Sequence, residues 1–196
     1  MKKNRNFLAA VIGLILILSS QSADAQKKWS FELKPGVSFP TKDLHDAKLK
    51  TGFGFEGVLA YRFMPHLAAY AGWSWNKFNA DKSFAGNDVD FEETGYSFGL
   101  QFIHPFSNSN ISYLIKAGGI YNHIETENSA GNIINDTGHG LGWQAGAGVS
   151  IPLGNRWNLI PEIRYRSLSR DIKIGNEKIP VNLNYVSAGL GISYSF

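Results

Sequence analysis

The sequence predicts an all-β fold: eight antiparallel strands closed into a transmembrane barrel, with short turns at one end and long loops at the other. Three observations carry that prediction. Apolar side chains recur at every second position in eight separate segments of about ten residues, and a period of two is the signature of a strand. The connections between them alternate long, short, long, short, long, short, long, which is the rhythm of a membrane barrel. The last segment, Val186 to Phe196, sets Val186, Ala188, Leu190, Ile192, Tyr194 and Phe196 on one face and only Ser and Gly on the other. Such a strand separates an apolar phase from a crowded interior.

The elements follow in order. Residues 1–25 read as a cleaved secretory leader: Lys2, Lys3 and Arg5 precede a 12-residue apolar run from Phe7 to Leu18, and Ala23-Asp24-Ala25 forms the cleavage site before Gln26. That run is too short for a spanning helix, which needs about 20 residues. Residues 26–196 form the barrel. The first strand, about Trp29 to Phe39, alternates Trp29, Phe31, Leu33, Val37 and Phe39 with Ser30, Glu32, Lys34, Gly36 and Ser38, and a polar loop runs on to Thr51. The second, Phe53 to Phe63, sets Phe53, Phe55, Leu59, Tyr61 and Phe63 against Gly54, Glu56, Ala60 and Arg62, and Met64-Pro65-His66 turns the chain. The third carries Leu67, Ala69, Ala71, Trp73 and Trp75; a long polar segment, Lys77 to Glu93, precedes the fourth, with Tyr96, Phe98, Leu100 and Phe102. The fifth places Tyr113, Ile115, Ala117 and Tyr121 opposite Ser112, Lys116, Gly118 and Asn122, before a loop from about Glu125 to Gly138. The sixth runs from Leu141 to Leu153 and turns at Gly154-Asn155; the seventh sets Trp157, Leu159, Ile163 and Tyr165 against Glu162, Arg164 and Arg166. The loop Ser169 to Pro180 leads into the closing strand.

Periodicity alone does not say which face points inward, because a soluble ligand-binding barrel shows the same alternation reversed. Volume decides. Of 26 aromatic residues, 19 fall on the apolar faces. An eight-stranded barrel is only wide enough inside for side chains to fill it, so those rings face lipid. The opposite faces then form an interior charge network of Glu32, Lys34, Glu56, Arg62, Lys116, Glu162, Arg164 and Arg166. A one-residue slip of the seventh strand would expose its two arginines to lipid at about 2–4 kcal/mol each near the midplane. The rings gather at strand ends as two interfacial girdles: Trp73, Trp75, Tyr96, Tyr121 and Tyr165 towards the long loops, and Trp29, Phe63, Tyr113 and Trp157 towards the short turns.

Composition excludes several classes. There is no cysteine, so disulfides, thiol catalysis and zinc-thiolate sites are absent. Without the leader, the 19 basic and 16 acidic residues become 16 and 15, and no clustered basic patch points to nucleic acid. An open diffusion pore needs about 16 strands.

On Gly142-Trp-Gln-Ala-Gly-Ala-Gly148 and the terminal Gly191-Ile-Ser-Tyr-Ser-Phe196, the chain resembles the small eight-stranded outer-membrane barrels: OmpX-like proteins, the OmpA transmembrane domain, the outer membrane protein beta-barrel domain or porin family. The resemblance implies a Gram-negative outer membrane and contact with its lipid and lipopolysaccharide. It also implies that Leu190, Ile192, Tyr194 and Phe196 form a C-terminal signal read by the barrel-assembly machinery. Members of the family include surface-interaction proteins, channels for hydrophobic solutes and two kinds of lipid A enzyme. The deacylase motif His-x-Ser-Asn has no counterpart, since the corresponding stretch, Arg164-Tyr-Arg-Ser-Leu-Ser-Arg170, lacks a histidine to activate a nucleophile. No amphipathic helix or hollow interior of the palmitoyltransferase kind is evident. The expectation is a non-enzymatic barrel without a cofactor, acting in envelope structure or in binding an extracellular protein through its loops. A narrow path for hydrophobic solutes is the alternative, and a lipid A enzyme the second alternative. His123 and His139 flank the third long loop, with Glu125, Glu127 and Asp136 near them; polar residues at a loop base are the plainer reading, and no metal is expected. Asp171 to Ile179 reads as a hairpin around Gly175-Asn176, continuing above the membrane, and Asn87 to Glu93 alternates in the same way.

Overall fold

A computed structural model describes residues 27–83, 86–174 and 177–196, so the predicted leader lies outside the described residues. Nine strands form among them: β1 (Trp29–Pro40), β2 (Gly52–Met64), β3 (Leu67–Ser83), β4 (Gly86–Pro105), β5 (Ser112–Glu127), β6 (Ile133–Asp136), β7 (Gly140–Gly154), β8 (Trp157–Ile174) and β9 (Glu177–Ser195). Every pairing is antiparallel. Eight strands make a closed ring, because β4 pairs with β5, β5 with β7 and β9 returns to β1. Closure leaves no free edge in that ring. The ninth strand, β6, pairs with the upper end of β5, where β7 no longer does. Its four residues lie within the predicted third long loop.

The start of β1 and the C-terminal Phe196 meet at the short-turn end, where Phe196 N–H donates to Trp29 O at 2.8 Å and Trp29 N–H to Phe196 O at 3.2 Å. Two residues, Pro65 and His66, join Met64 to its partner Leu67. At the β7–β8 turn Gly154 (φ 124°) and Asn155 (φ 24°) adopt the positive φ that a tight hairpin demands.

Five strands, β3, β4, β5, β8 and β9, are much longer than the predicted ten residues, and the reason is a change of surroundings. On β3 the outward residues are apolar or aromatic from Leu67 to Trp75 and then become Lys77, Asn79 and Asp81. The apolar part is about 26 Å of strand at ~3.3 Å per residue, comparable once tilted with the ~25 Å apolar band of a membrane barrel. At that level the inward face changes in the opposite sense, from buried Ser74 and Asn76 to buried Phe78 and Ala80. The same exchange occurs on β5, where Asn122 gives way to Ile124, and on β8, where Arg166 gives way to Leu168. Above the membrane the outward face meets water, so the apolar side chains turn in.

They form a core of 14 buried residues in the outer half of the barrel, with Phe78 and Tyr185 in an edge-to-face contact at 5.1 Å. The segment Lys77 to Glu93, expected as a polar loop, is therefore two strands that bury Phe78, Val89 and Phe91. The first loop, also expected to be polar, folds inward. Leu44 and Ala47 exchange two backbone hydrogen bonds of 2.9 Å, and Leu44, Ala47 and Leu49 are buried in the core. Thr41 N–H donates to Asn184 O and Lys50 N–H to Asn79 O, both at 2.8 Å, so this loop ties β9 to β3 across the top. The hairpin read around Gly175-Asn176 is present in its pairing, Ile174 opposite Glu177 and Ile172 opposite Ile179; the turn residues themselves lie outside the described residues.

Truncating a ring in this core leaves a cavity. Phe91→Ala should lower stability by about 3–5 kcal/mol in reversible denaturant titrations in lipid vesicles, and hydrogen exchange should accelerate first in 77–93, while an outward change such as Asn79→Ala stays within about 0.5 kcal/mol.

Candidate functional site

Seven of the eight charged residues predicted for the interior meet in one network. Starting nearest the short turns, Lys116 Nζ lies 2.8 Å from Glu32 Oε2 and 3.0 Å from Glu162 Oε2. Lys34 Nζ also bonds Glu162, and lies 3.5 Å from both Glu32 and Glu56. Glu56 is the hub: it takes an ion pair from Arg164, another from Arg166 at 3.3 Å and a hydrogen bond from Ser97 Oγ at 2.8 Å. Arg166 is fully buried and donates onward to Ser74 Oγ at 2.8 Å, to Gln144 Oε1 at 2.9 Å and to Glu93 Oε1 at 3.5 Å. Glu93 receives Asn122 Nδ2 at 2.6 Å and the Tyr185 hydroxyl. Four carboxylates (Glu32, Glu56, Glu93, Glu162) thus face four cations (Lys34, Lys116, Arg164, Arg166). The layer is electrically balanced, as a desolvated set of charges must be.

Arg62 stands apart. Alternation places it on the inward face, but it lies at the strand's end beside the β2–β3 turn, is exposed, and makes no ion pair among the described residues. It lines a cup of about 140 Å³ with Ser30, Gln101, Asn110, Ser112, Asn158 and Ser195, all near the short turns. Above the cup lies the charge layer, and above that the apolar core; a gap of about 20 Å³ lies beside Lys34 and Arg164, room for roughly one water.

Alternation places Gln144 inward, as the structure has it, whereas Glu93, Tyr70 and Tyr185 are interior residues that the sequence did not single out. Glu93 seemed to belong to a loop, although it shares the parity of Gly95, Ser97 and Gly99. Tyr70 sits inside because Gly99 and Gly118, paired across β4 and β5, leave room for its hydroxyl; a Cβ on either would come within 2.9 Å of that oxygen. Gln144 then donates to the Tyr70 hydroxyl at 3.0 Å.

The outward rings lie where strand parity puts them. At the short-turn end Trp29 packs on Tyr61 at 4.8 Å, Trp157 on Tyr194 at 4.9 Å and Tyr113 on Phe102 at 6.1 Å, and Phe63 is exposed. At the other end Trp73 packs on Phe55, Trp75 on Phe53 and Tyr165 on Trp143, while Tyr96 and Tyr121 flank His139. Trp75 Nε1 donates to Glu92 Oε2 at 2.7 Å, an indole with its ring in the apolar band and its N–H in the polar layer above. Leu190 and Ile192 project outward and half exposed, and Tyr194 stacks with Phe196 at 6.3 Å. Above the upper girdle, Lys77 lies within 3 Å of carboxyl oxygens of Asp90, Glu92 and Glu127. Burial alone would lower its pKa, but the three carboxylates outweigh that and hold it above the ordinary lysine value. His123 lies beside Asp136, Glu125 and His139 at the base of the third loop.

Removing one member of a balanced buried set strands the others. Glu56→Gln should destabilise the barrel by about 3–5 kcal/mol, read as a lowered urea midpoint in vesicles, whereas Arg62→Ala should change it by no more than about 0.5 kcal/mol.

The sequence matches the family described as outer membrane protein beta-barrel domain over residues 10–196. No curated protein matches. Among solved structures, Neisserial surface protein A is similar at 13% identity with a TM-score of 0.59, covering 89% of this chain and 100% of that one. OprG of Pseudomonas aeruginosa is similar at 14% identity and 0.59, covering 88% and 98%. Outer Membrane Protein W of E. coli is similar at 12% identity and 0.60, covering 89% and 100%. At such identities these likenesses speak for the fold. The ring of eight strands with lipid-facing rings and a charged interior, and the family match over almost the whole chain, lead to one conclusion: the chain belongs to the outer membrane protein beta-barrel domain family and resides in the outer membrane.

Proposed function

We propose that this protein is a non-enzymatic, non-conducting barrel that anchors a folded extracellular platform, through which it contributes to envelope structure and binds a protein at the cell surface. The filled interior carries this reading. A solute entering the cup from the short-turn end meets four buried ion pairs' worth of charge and then a packed apolar core. Displacing that layer would uncover buried charge at a cost of several kcal/mol per ion.

The platform has the rigidity that recognition needs. The outer ends of β3, β4, β5, β8 and β9 are held by their own core, so their outward residues, such as Asn79, Asp81, Asp171 and Asn182, keep fixed positions. Against catalysis, Ser169 Oγ donates to Asn182 Oδ1 at 2.6 Å, an amide oxygen that cannot serve as the base a nucleophile needs. The lipids and lipopolysaccharide of the outer leaflet are the natural neighbours of the apolar band, and Leu190, Ile192, Tyr194 and Phe196 are the segment we assign to recognition by the assembly machinery.

The cup alone favours a second reading, entry of a small polar solute from the periplasm. Planar bilayers separate the two: the purified protein should give no discrete conductance steps, and regular steps would sink the closed-barrel reading. For the platform, cells carrying the protein should adhere to a surface ligand more than cells without it. Replacing Asn79, Asp81, Asp171 and Asn182 by alanine should remove that difference without loss of heat-modifiable gel mobility. Equal adhesion of all three strains would rule out surface binding.

A further inference from the structure

On the outward face just above the upper girdle, β5 and β6 bring an imidazole and two carboxylates together. His123 and Glu125 are two residues apart on β5 and so share a face, and Asp136 stands opposite Glu125 across the ladder. One ligand atom from each lies within 4.8 Å of the others. His123 Nδ1 is 3.0 Å from Asp136 Oδ1 and 3.8 Å from Glu125 Oε1. The charge on this face is unbalanced. Lys77 is engaged by Asp90, Glu92 and Glu127, leaving Glu125 and Asp136 with only an imidazole as their partner among the described ion pairs.

Two further features ready the group for a cation. The Gly138 N–H donates to Asp136 Oδ1 at 2.8 Å. The His139 ring stacks on His123 at 4.3 Å and also lies 5.2 Å from the Tyr121 ring, so the imidazole is held in place.

We propose that His123, Glu125 and Asp136 form a surface site for a divalent transition metal of the zinc class, with the remaining coordination open to solvent. One nitrogen and two carboxylate donors suit zinc, copper or nickel, whereas magnesium and calcium prefer oxygen alone. The ligands come from two paired strands, so the backbone sets their spacing before the metal arrives. The metal would in turn clip β6 to β5, a ladder of only three pairs with an irregularity at Thr126/Glu127.

The test is isothermal titration of the refolded full chain in metal-free detergent with Zn²⁺ alone, and separately with Mg²⁺ alone. The expected result is one equivalent of Zn²⁺ and no measurable Mg²⁺ binding at pH 7.5, with affinity at least tenfold weaker in His123→Ala and in Asp136→Asn. Both changes are near the surface, and heat-modifiable mobility checks that the variants fold. A double variant of the other histidine pair, His66→Ala with His104→Ala, should bind as wild type does. No Zn²⁺ binding by the wild type, undiminished binding by both site variants, or loss only in the His66/His104 variant would each overturn the proposal.

Discussion

A barrel of eight strands has an interior no wider than its own side chains, and lipid outside it tolerates almost no charge. Everything else in this structure follows from that constraint. Polar side chains in the membrane zone must point inward, where there is no room for water to solvate them, so they must satisfy one another. Glu56 does so with two arginines and a serine, and the set closes at four charges of each sign. Small residues on the inward face make the packing possible. Gly99 and Gly118 leave the space that Tyr70 fills.

The second half of the molecule obeys the same rule with the solvents exchanged. Past Trp75, Tyr121 and Tyr165 the outside is water, and the strands that continue there keep their alternation while their two faces trade composition. The result is a single wall with two different interiors, ionic below and apolar above. The apolar part holds the outer hairpins in fixed positions, which distinguishes them from loops that would have to order on binding a partner. It also packs the outer half of the barrel, and the β1–β2 loop adds Leu44, Ala47 and Leu49 to it.

Charge on the outer surface is less evenly matched than charge inside. Buried groups were matched one for one because an unpaired one costs several kcal/mol. Above the girdle, water tolerates imbalance, and the carboxylates around Lys77 and His123 outnumber their cations. That tolerance is what leaves room for a metal ligand set on β5 and β6.

By itself the sequence determined the strand number of the ring, which face meets lipid, the girdles and most of the interior network, because parity and side-chain volume are local properties that tertiary contacts only inherit. Arg166, Glu162 and Glu32 could be read from alternation alone. Three things depended on the folded barrel. Arg62 has the right parity but lies at the rim, and a strand's depth in the membrane is not written in its period. The alternation of Asn87 to Glu93 was legible, but the burial of Phe91 and Glu93 was not, because a polar outward face over an apolar inward one is identifiable only when the membrane level is known. Asp136 lies opposite Glu125 only because a four-residue strand folds back onto β5, a pairing set by the register of the third loop.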